Sequence, residues 1–578
     1  MIDPSTHNTN PLTTLKKILK PPAADCQALR AWFVWTLFGC LCLPCEAQET
    51  SPLFQALPET ISTADPLTSA QRAPAIRRLP PAPASELVVP GWMNTVSQPI
   101  LPNRPAQRLH LQQLIFDALQ YSLQVKILAG DTQIERTAIM QADAQFDWRA
   151  FAESYWNDIT NPTGSSLTTG GPLQFQNHQF TYEAGIRRQN LLGGQFEASQ
   201  QFGTQNTNSQ FFIPPQQGST VLTLNYTQPL LRGAGRFYNE RAVILAQVNT
   251  SAVTHEFLAS LQQSLTEVQA AYWNLYFTRA NLSAQRDLTR RAEQLVQQLE
   301  LRENVDGTRD QLLRASAAAA ARQAGLLRAE QAVVDAQSRL RELVNAPALF
   351  EFSSREFVPV DPPRSDAIPL DESALLQQAL LRRPELRKAL DDIKAGSIRQ
   401  KVSRHELLPQ LNLVIESYLD GIRGDYNIGG AFDDQFNAGR PSYTVGLEME
   451  APFLRREARA TLRRTSLELE QLQNEFQLTV ERVWIDLDRS IRELKTSHAE
   501  IEANRIVVER RAAELDYREK RWELLPPTGR TASLLLEDLL EAQNRLVDAQ
   551  LNHLHSQINY VQAIINLKRA TGTLLEQG

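Results

Sequence analysis

The sequence predicts a membrane α+β protein built from two tandem helix–strand–strand–helix repeats. Three observations carry that expectation. Unbroken helical patterns run over residues 236–303 and 456–524, roughly 100 Å each at 1.5 Å per residue. Half-apolar strands lead directly into both of them. One order of elements (helix, strand, strand, long helix, helix) occurs twice between residues 108 and 578.

Composition narrows the functional classes first. A length of 578 residues suggests several ordinary domains, but glycine is scarce at 25, and long stretches of Ala, Leu, Gln, Glu and Arg favour extended helix. The net charge of −6 comes from 59 basic and 65 acidic residues, interleaved along the chain. With no basic block and no RNA-binding signature, no nucleic-acid partner is expected.

Residues 1–47 read as a signal-peptide region. Lys16, Lys17, Lys20 and Arg30 precede the apolar run AWFVWTLFGCLCL at 31–43. That run is too short for a spanning helix, which needs about 20 residues. Cys45-Glu46-Ala47 offers a cleavage site before Gln48. The alternative is lipidation of Cys40, since Leu37-Phe38-Gly39-Cys40 resembles a lipobox. All four cysteines (Cys26, Cys40, Cys42 and Cys45) lie here, so the rest of the chain has no disulfide framework or cysteine chemistry. Residues 48–107 are rich in Pro, Ser, Thr and Ala and read as a disordered linker. Residues 347–370, with FVPVDPPRSDAIP, read as the linker between repeats.

The first repeat covers 108–346 and the second 371–578. Each opens with a helix, and Ala118-Leu119 aligns with Ala379-Leu380. Strands follow, with Ala152-Glu153-Ser154-Tyr155 aligned to Ile415-Glu416-Ser417-Tyr418. The strands alternate with period two: Leu222, Leu224 and Tyr226 share a side, as do Leu411, Leu413 and Ile415, and Tyr443, Val445, Leu447 and Met449. A membrane barrel needs that pattern, apolar toward lipid and polar toward the lumen. Two further alternating runs, HQFTYEAGIRR and GQFEASQQFG, suggest an extra hairpin in the first repeat, with Phe180, Tyr182, Ala184 and Ile186 on one face. Returning strands end at Gln228-Pro229-Leu230-Leu231-Arg232 and Ala451-Pro452-Phe453-Leu454-Arg455. Pro229 lacks an N–H and is expected to end pairing, while Gly233 and Gly235 permit the turn into helix. Pro452 recurs in the second copy, but Arg455 and Arg456 replace the glycines, so the two junctions need not match. The long helices carry narrow apolar stripes, such as Leu258, Leu261, Leu265, Val268, Tyr272 and Leu275, which mean coiled-coil packing on neighbouring helices.

Catalytic motifs are missing: there is no G-x-S-x-G, H-E-x-x-H or G-x-x-x-x-G-K-[ST]. His405 has no second histidine nearby and reads as a residue at a helix end. No enzyme activity, cofactor or metal is expected.

The doubled unit, QPLLRGAGR, the RPEL of Arg383 to Leu386, the LLPQL of Leu407 to Leu411 and the closing Ala570-Thr571-Gly572-Thr573-Leu574 resemble the TolC-like outer membrane efflux protein family over about residues 108–575. The resemblance implies a homotrimer in the outer membrane. Each chain would give four or more strands to one 12-stranded transmembrane β-barrel, and its helices to a periplasmic α-barrel. It also implies an exit duct for efflux or type I secretion, docked to a periplasmic adaptor (membrane fusion) protein and an inner-membrane pump of RND or ABC type. Four strands cannot close a barrel and open edges cannot face lipid, so membrane strands would themselves force oligomerisation. The competing reading is a surface or periplasmic coiled coil, which should lack hairpins set between helices.

The family pattern maps a pore constriction onto Asp538 and Glu541, one turn apart, with Gln311 and Arg314 as the first-repeat equivalents. A trimeric carboxylate ring there would attract cations. The turns at Asp306-Gly307 and Gly529-Arg530 are the expected tip and adaptor-docking elements.

Overall fold

A computed structural model describes residues 95–100, 105–165, 167, 169–303, 309–350, 355–524 and 530–576. The signal-peptide region, Cys40 and the linker as far as residue 94 lie outside the described residues, as do Asp306, Gly307 and Gly529.

Each repeat opens with two short helices in tandem: α1 (Leu111–Tyr121) and α2 (Leu123–Asp143), then later α5 (Glu372–Arg382) and α6 (Pro384–His405). The aligned Ala118 and Ala379 are both fully buried. The alignment therefore follows a shared packing position. Asp371 caps α5 by accepting from the amides of Ser373 and Ala374, and Pro384 starts α6 at a position where no amide is needed.

The long helices are α3 (Arg241–Glu303) and α4 (Arg309–Val344) in the first repeat, and α8 (Arg456–Leu524) and α9 (Arg530–Ala570) in the second. Their lengths, 63 and 69 residues for α3 and α8, match the unbroken patterns. The stripe on α8 buries Val483, Leu487, Ile491, Leu494, Ser497 and Ile501, all at steps of three or four, with Leu487, Leu494 and Ile501 recurring every seven residues. That is heptad packing. Leu265, Val268, Tyr272 and Leu275 of α3 are buried in one cluster with residues of α1, α4 and α9. Gly572, at φ 73, ends α9 with Thr573 donating back to the Lys568 carbonyl at 2.9 Å. Among the described residues no helix is long and apolar enough to cross a membrane.

Six antiparallel strands form one sheet in the order β2 (Arg149–Pro162), β3 (Gln174–Gln189), β4 (Gln195–Thr207), β5 (Gln216–Pro229), β7 (Gln410–Gly424) and β8 (Ser442–Glu450). The extra hairpin of the first repeat is β3–β4. It stands between β2 and β5, so the chain carries six barrel-type strands where a 12-stranded trimer needs four.

The inter-repeat segment differs from a plain linker. Residues Glu356–Pro359 form strand β6, parallel to β1 (Ala106–Leu109), and Phe357 and Val358 are buried. Sequence reading misses it because a four-residue strand that ends in one proline and is followed by two more looks like a break. A further helix, α7 (Ile428–Asn437), lies in the β7–β8 connection.

Candidate functional site

The register places the four apolar sets read from separate strands on a single face. Tyr182 is opposite Phe202, Phe202 opposite Thr220, Leu222 opposite Leu419, and Ile415 opposite Val445. Trp156, Tyr182, Ile186, Leu224, Tyr443, Val445, Leu447 and Met449 on it are all exposed. The other face is mainly polar, with Glu153, Gln179, Glu183, Gln201, Asn225, Glu416, Glu448 and Glu450, though Tyr155, Ile159, Tyr418 and Ile422 also lie on it. An apolar surface of this extent, open except at the end where α7 lies over Gly218, Gly421 and Phe202, marks an interaction surface. Its alternation is that of a membrane strand, apolar outward and polar inward.

Both outer strands of the sheet, β2 and β8, lack a partner along one edge among the described residues. Backbone groups on such edges must be paired before lipid can surround them.

At one end of the sheet the strands pass into helices. Pro229 is the last residue of β5 and stands opposite Asn412. Leu230 still donates to the Leu411 carbonyl at 2.7 Å, and Arg232 to Pro409 at 3.2 Å. Amides alternate sides along a strand, so the missing N–H of Pro229 faces β4, where pairing stops at Thr227. Pro229 thus ends one ladder while the other runs on. Gly233 and Gly235 take φ of 89° and 92°, conformations that favour glycine. In the second copy Pro452 follows β8 and no glycine is present. Arg455 turns the chain instead, at φ 43°, and donates to the Leu407 carbonyl at 2.9 Å. The two junctions therefore differ in geometry.

The β3–β4 turn is fastened to the first junction. Gly235 donates to the Leu192 carbonyl at 3.1 Å, and Asn239 donates to the carbonyls of Gly233 and Gly235 at 2.8 and 2.9 Å. Gln189 donates to Asn239 at 3.0 Å.

At the other end of the long helices, the expected constriction residues lie on different surfaces. Asp538 accepts from Arg518 of α8, and Glu541 from Arg545, one turn along α9. Arg545 also lies 3.8 Å from Glu514. Arg314 is exposed and bridges the repeats, pairing with Asp310 at 3.0 Å and with Glu537 of α9. Gln311 is instead buried, close to Ala315, and its amide has no partner among the described residues. It does not share the surface of Arg314. The Ser533 hydroxyl and then Arg314 hold the Asp310 carboxyl below the usual range. Arg511, with Arg545 and Arg518 nearby, does the same for Glu514. Arg530 begins α9. His405 ends α6, its ring 5.0 Å from that of Tyr238.

Sequence reading missed Glu537, Ser533 and Arg518, whose roles depend on which helices neighbour each other. It also missed Arg322, buried on α4, which donates to the Leu288 carbonyl of α3 at 3.0 Å and to Asn544 of α9 at 3.0 Å. A collar around α3 was equally hidden. Arg279, fully buried, pairs with buried Glu356 and donates to the carbonyls of Val96, Gln98 and Phe357 at 3.1, 2.6 and 3.1 Å.

A half-apolar sheet, with edges open among the described residues and continued by helices of this length, defines the fold class: a helix-and-strand channel wall. Residues 375–573 match the family model described as outer membrane efflux protein. The fold is that of the TolC-like channels. It is similar to the CmeC outer membrane channel of Campylobacter jejuni, at 12% identity and TM-score 0.60, covering 83% of this chain and 92% of that one. It is also similar to the outer membrane protein VceC of Vibrio cholerae, at 18% identity and TM-score 0.55, covering 80% and 96%. The open state of the MtrE outer membrane channel of Neisseria gonorrhoeae matches at 17% identity and TM-score 0.53, covering 80% and 89%. None of the curated proteins matches the chain. The family match and the fold together support an outer membrane efflux channel.

Proposed function

We propose that the protein is the passive exit duct of a tripartite efflux or type I secretion system. Three chains stand in the outer membrane, close a β-barrel with their sheets and extend their helices into the periplasm. A periplasmic adaptor and an inner-membrane pump of RND or ABC type dock at the helical tip, around the turns that include Asp306-Gly307 and Gly529-Arg530. The protein performs no chemistry on its cargo. Asp538 and Glu541 set the charge at the entrance, each moderated by its arginine.

The observation that supports this reading is the sheet: one face apolar and largely exposed, one face mainly polar, and both edges open among the described residues. A soluble coiled coil has no use for such a surface. Closing the edges with further copies removes them from lipid, and the polar face then lines an aqueous path.

Fractionation tests it. The protein is expected in the outer-membrane fraction as a heat-modifiable trimer that conducts ions across planar bilayers. Recovery as a soluble periplasmic monomer would overturn the reading.

A further inference from the structure

We infer that all six strands of each chain belong to one transmembrane wall, so that three chains close an eighteen-stranded barrel as wide as the helical ring it joins. The inference rests on the trimer proposed above and specifies its membrane section.

The β3–β4 hairpin is built into the sheet. β3 pairs with β2 from Gln174 to Arg187, and β4 with β5 from Gln195 to Asn206. β2 and β5 share no pairing, so removing the hairpin leaves a gap of about 14 Å between them, three strand spacings. The two faces continue through it. Phe180, Tyr182, Ile186 and Phe196 extend the apolar face; Gln179, Glu183, Gln201 and Gln205 extend the polar one. Its turn is also tied to the strand-to-helix junction through Leu192, Gln189 and Asn239.

Girth supplies an independent argument. Next to the sheet, α2 packs on α3, α3 on α6 and α6 on α8, so each chain presents four helices side by side. At 8–10 Å between axes, these occupy an arc of about 32–40 Å. Six strands spaced about 4.8 Å apart and tilted 35–45° occupy about 35–41 Å of circumference. Four strands at that tilt occupy only about 23–27 Å. Six strands therefore fit the helical layer of the same chain at ordinary tilt, with no step where sheet meets helix.

Parity also fits. An even number of antiparallel strands leaves β2 and β8 running in opposite directions, so β8 of one chain can pair antiparallel with β2 of the next copy around the ring. The membrane passage is then as broad as the helical one, and size selection falls to the periplasmic tip.

Native mass spectrometry and cryo-electron microscopy of the full-length protein in lipid nanodiscs test this together. The expected result is three copies, with eighteen strands crossed in a slice through the membrane. Three copies with twelve strands, and residues 174–207 outside the wall, would overturn the inference while leaving the trimer standing. A copy number other than three overturns the eighteen-stranded closure along with the trimer. The mass gives the copies and the slice gives strands per chain, so the two failures are told apart.

Discussion

Asp310, in the first turn of α4, accepts a hydrogen bond of 3.0 Å from Ser533 of α9, 223 positions away. Beside it Arg314 pairs with Glu537. These contacts join the first and second repeats where the long helices end, and they are exposed. Each is worth little alone, since surface ion pairs contribute about 0–1 kcal/mol. A tip held by several weak contacts is one that a docked partner can open. The double variant Ser533→Ala/Glu537→Gln is expected to raise single-channel conductance while leaving the heat-stability of the trimer unchanged. Unaltered conductance removes this pair of contacts from gating.

The same network sets a pH dependence. Asp310 and Glu514 are held below the ordinary carboxylate range, so their contacts are fully formed above about pH 4. They are lost as pH falls through the lowered values, because the free carboxyls take up protons first. Conductance is expected to stay level from neutral pH to about pH 4 and to rise below it. Asp310→Asn should abolish part of that rise. A rise centred near pH 6 would point to histidine instead.

The charge proposed for the entrance rests on pairs made by α8 and α9. Arg518 neutralises Asp538, and Arg545 neutralises Glu541. Asp538→Asn with Glu541→Gln is expected to lower cation preference in single-channel recordings. Arg518→Gln is expected to raise it, since it frees a carboxylate without adding one. Reversal potentials in a salt gradient measure both. If neither variant shifts them, these residues do not face the ion path.

How legible was this in the sequence? The alternation in β5, β7 and β8 and the span of α3 and α8 were readable because both are periodic along the chain. The strand pattern of β3 and β4 was visible too, but not its place between β2 and β5, which is a matter of pairing. Of the pairs around the proposed entrance, part was readable. Asp538 and Glu541 share a helix face by spacing alone, and Arg545 lies four residues past Glu541 on the same helix, whereas Arg518, the partner of Asp538, comes from α8 through helix packing. The burial of Gln311 was not readable, because spacing cannot show that another helix covers it. The buried strand β6 was hidden by its prolines.

Glycine packing under α7 gives a sharper stability test. A Cβ on Gly421 would fall 1.9 Å from the Ala431 carbonyl oxygen, and one on Gly218 would fall 2.9 Å from the Asn427 backbone. The helix therefore lies directly on the sheet, with Phe432 against Phe202 at 6.0 Å between rings. Gly421→Ala is expected to cost about 1–3 kcal/mol, because backbone must move. Gly446→Ala, with nothing within 4 Å, should be close to neutral. Heat-modifiability on gels compares the two variants. Equal shifts would mean that α7 does not rest on the sheet.

The collar around α3 makes the largest prediction. Arg279 and Glu356 are both fully buried, and Glu356 also accepts from the Ile100 amide at 2.9 and 3.0 Å. The pair fastens residues 95–100 and strand β6 onto the middle of the first repeat's long helix. Burial works against the charge on Arg279, so its pKa lies below the usual guanidinium value although Glu356 opposes the shift. Removing one partner leaves an unpaired charge in the interior, which costs about 3–5 kcal/mol. Arg279→Ala also strands the carbonyls of Val96, Gln98 and Phe357. Arg279→Met with Glu356→Gln removes both charges and keeps similar bulk, so it should recover part of the loss. The single variant is expected to release residues 95–100 to limited proteolysis and to lower the unfolding temperature, and the double variant to do so less. A double variant as damaged as the single would show that the carbonyl contacts, not the charge pair, hold the collar.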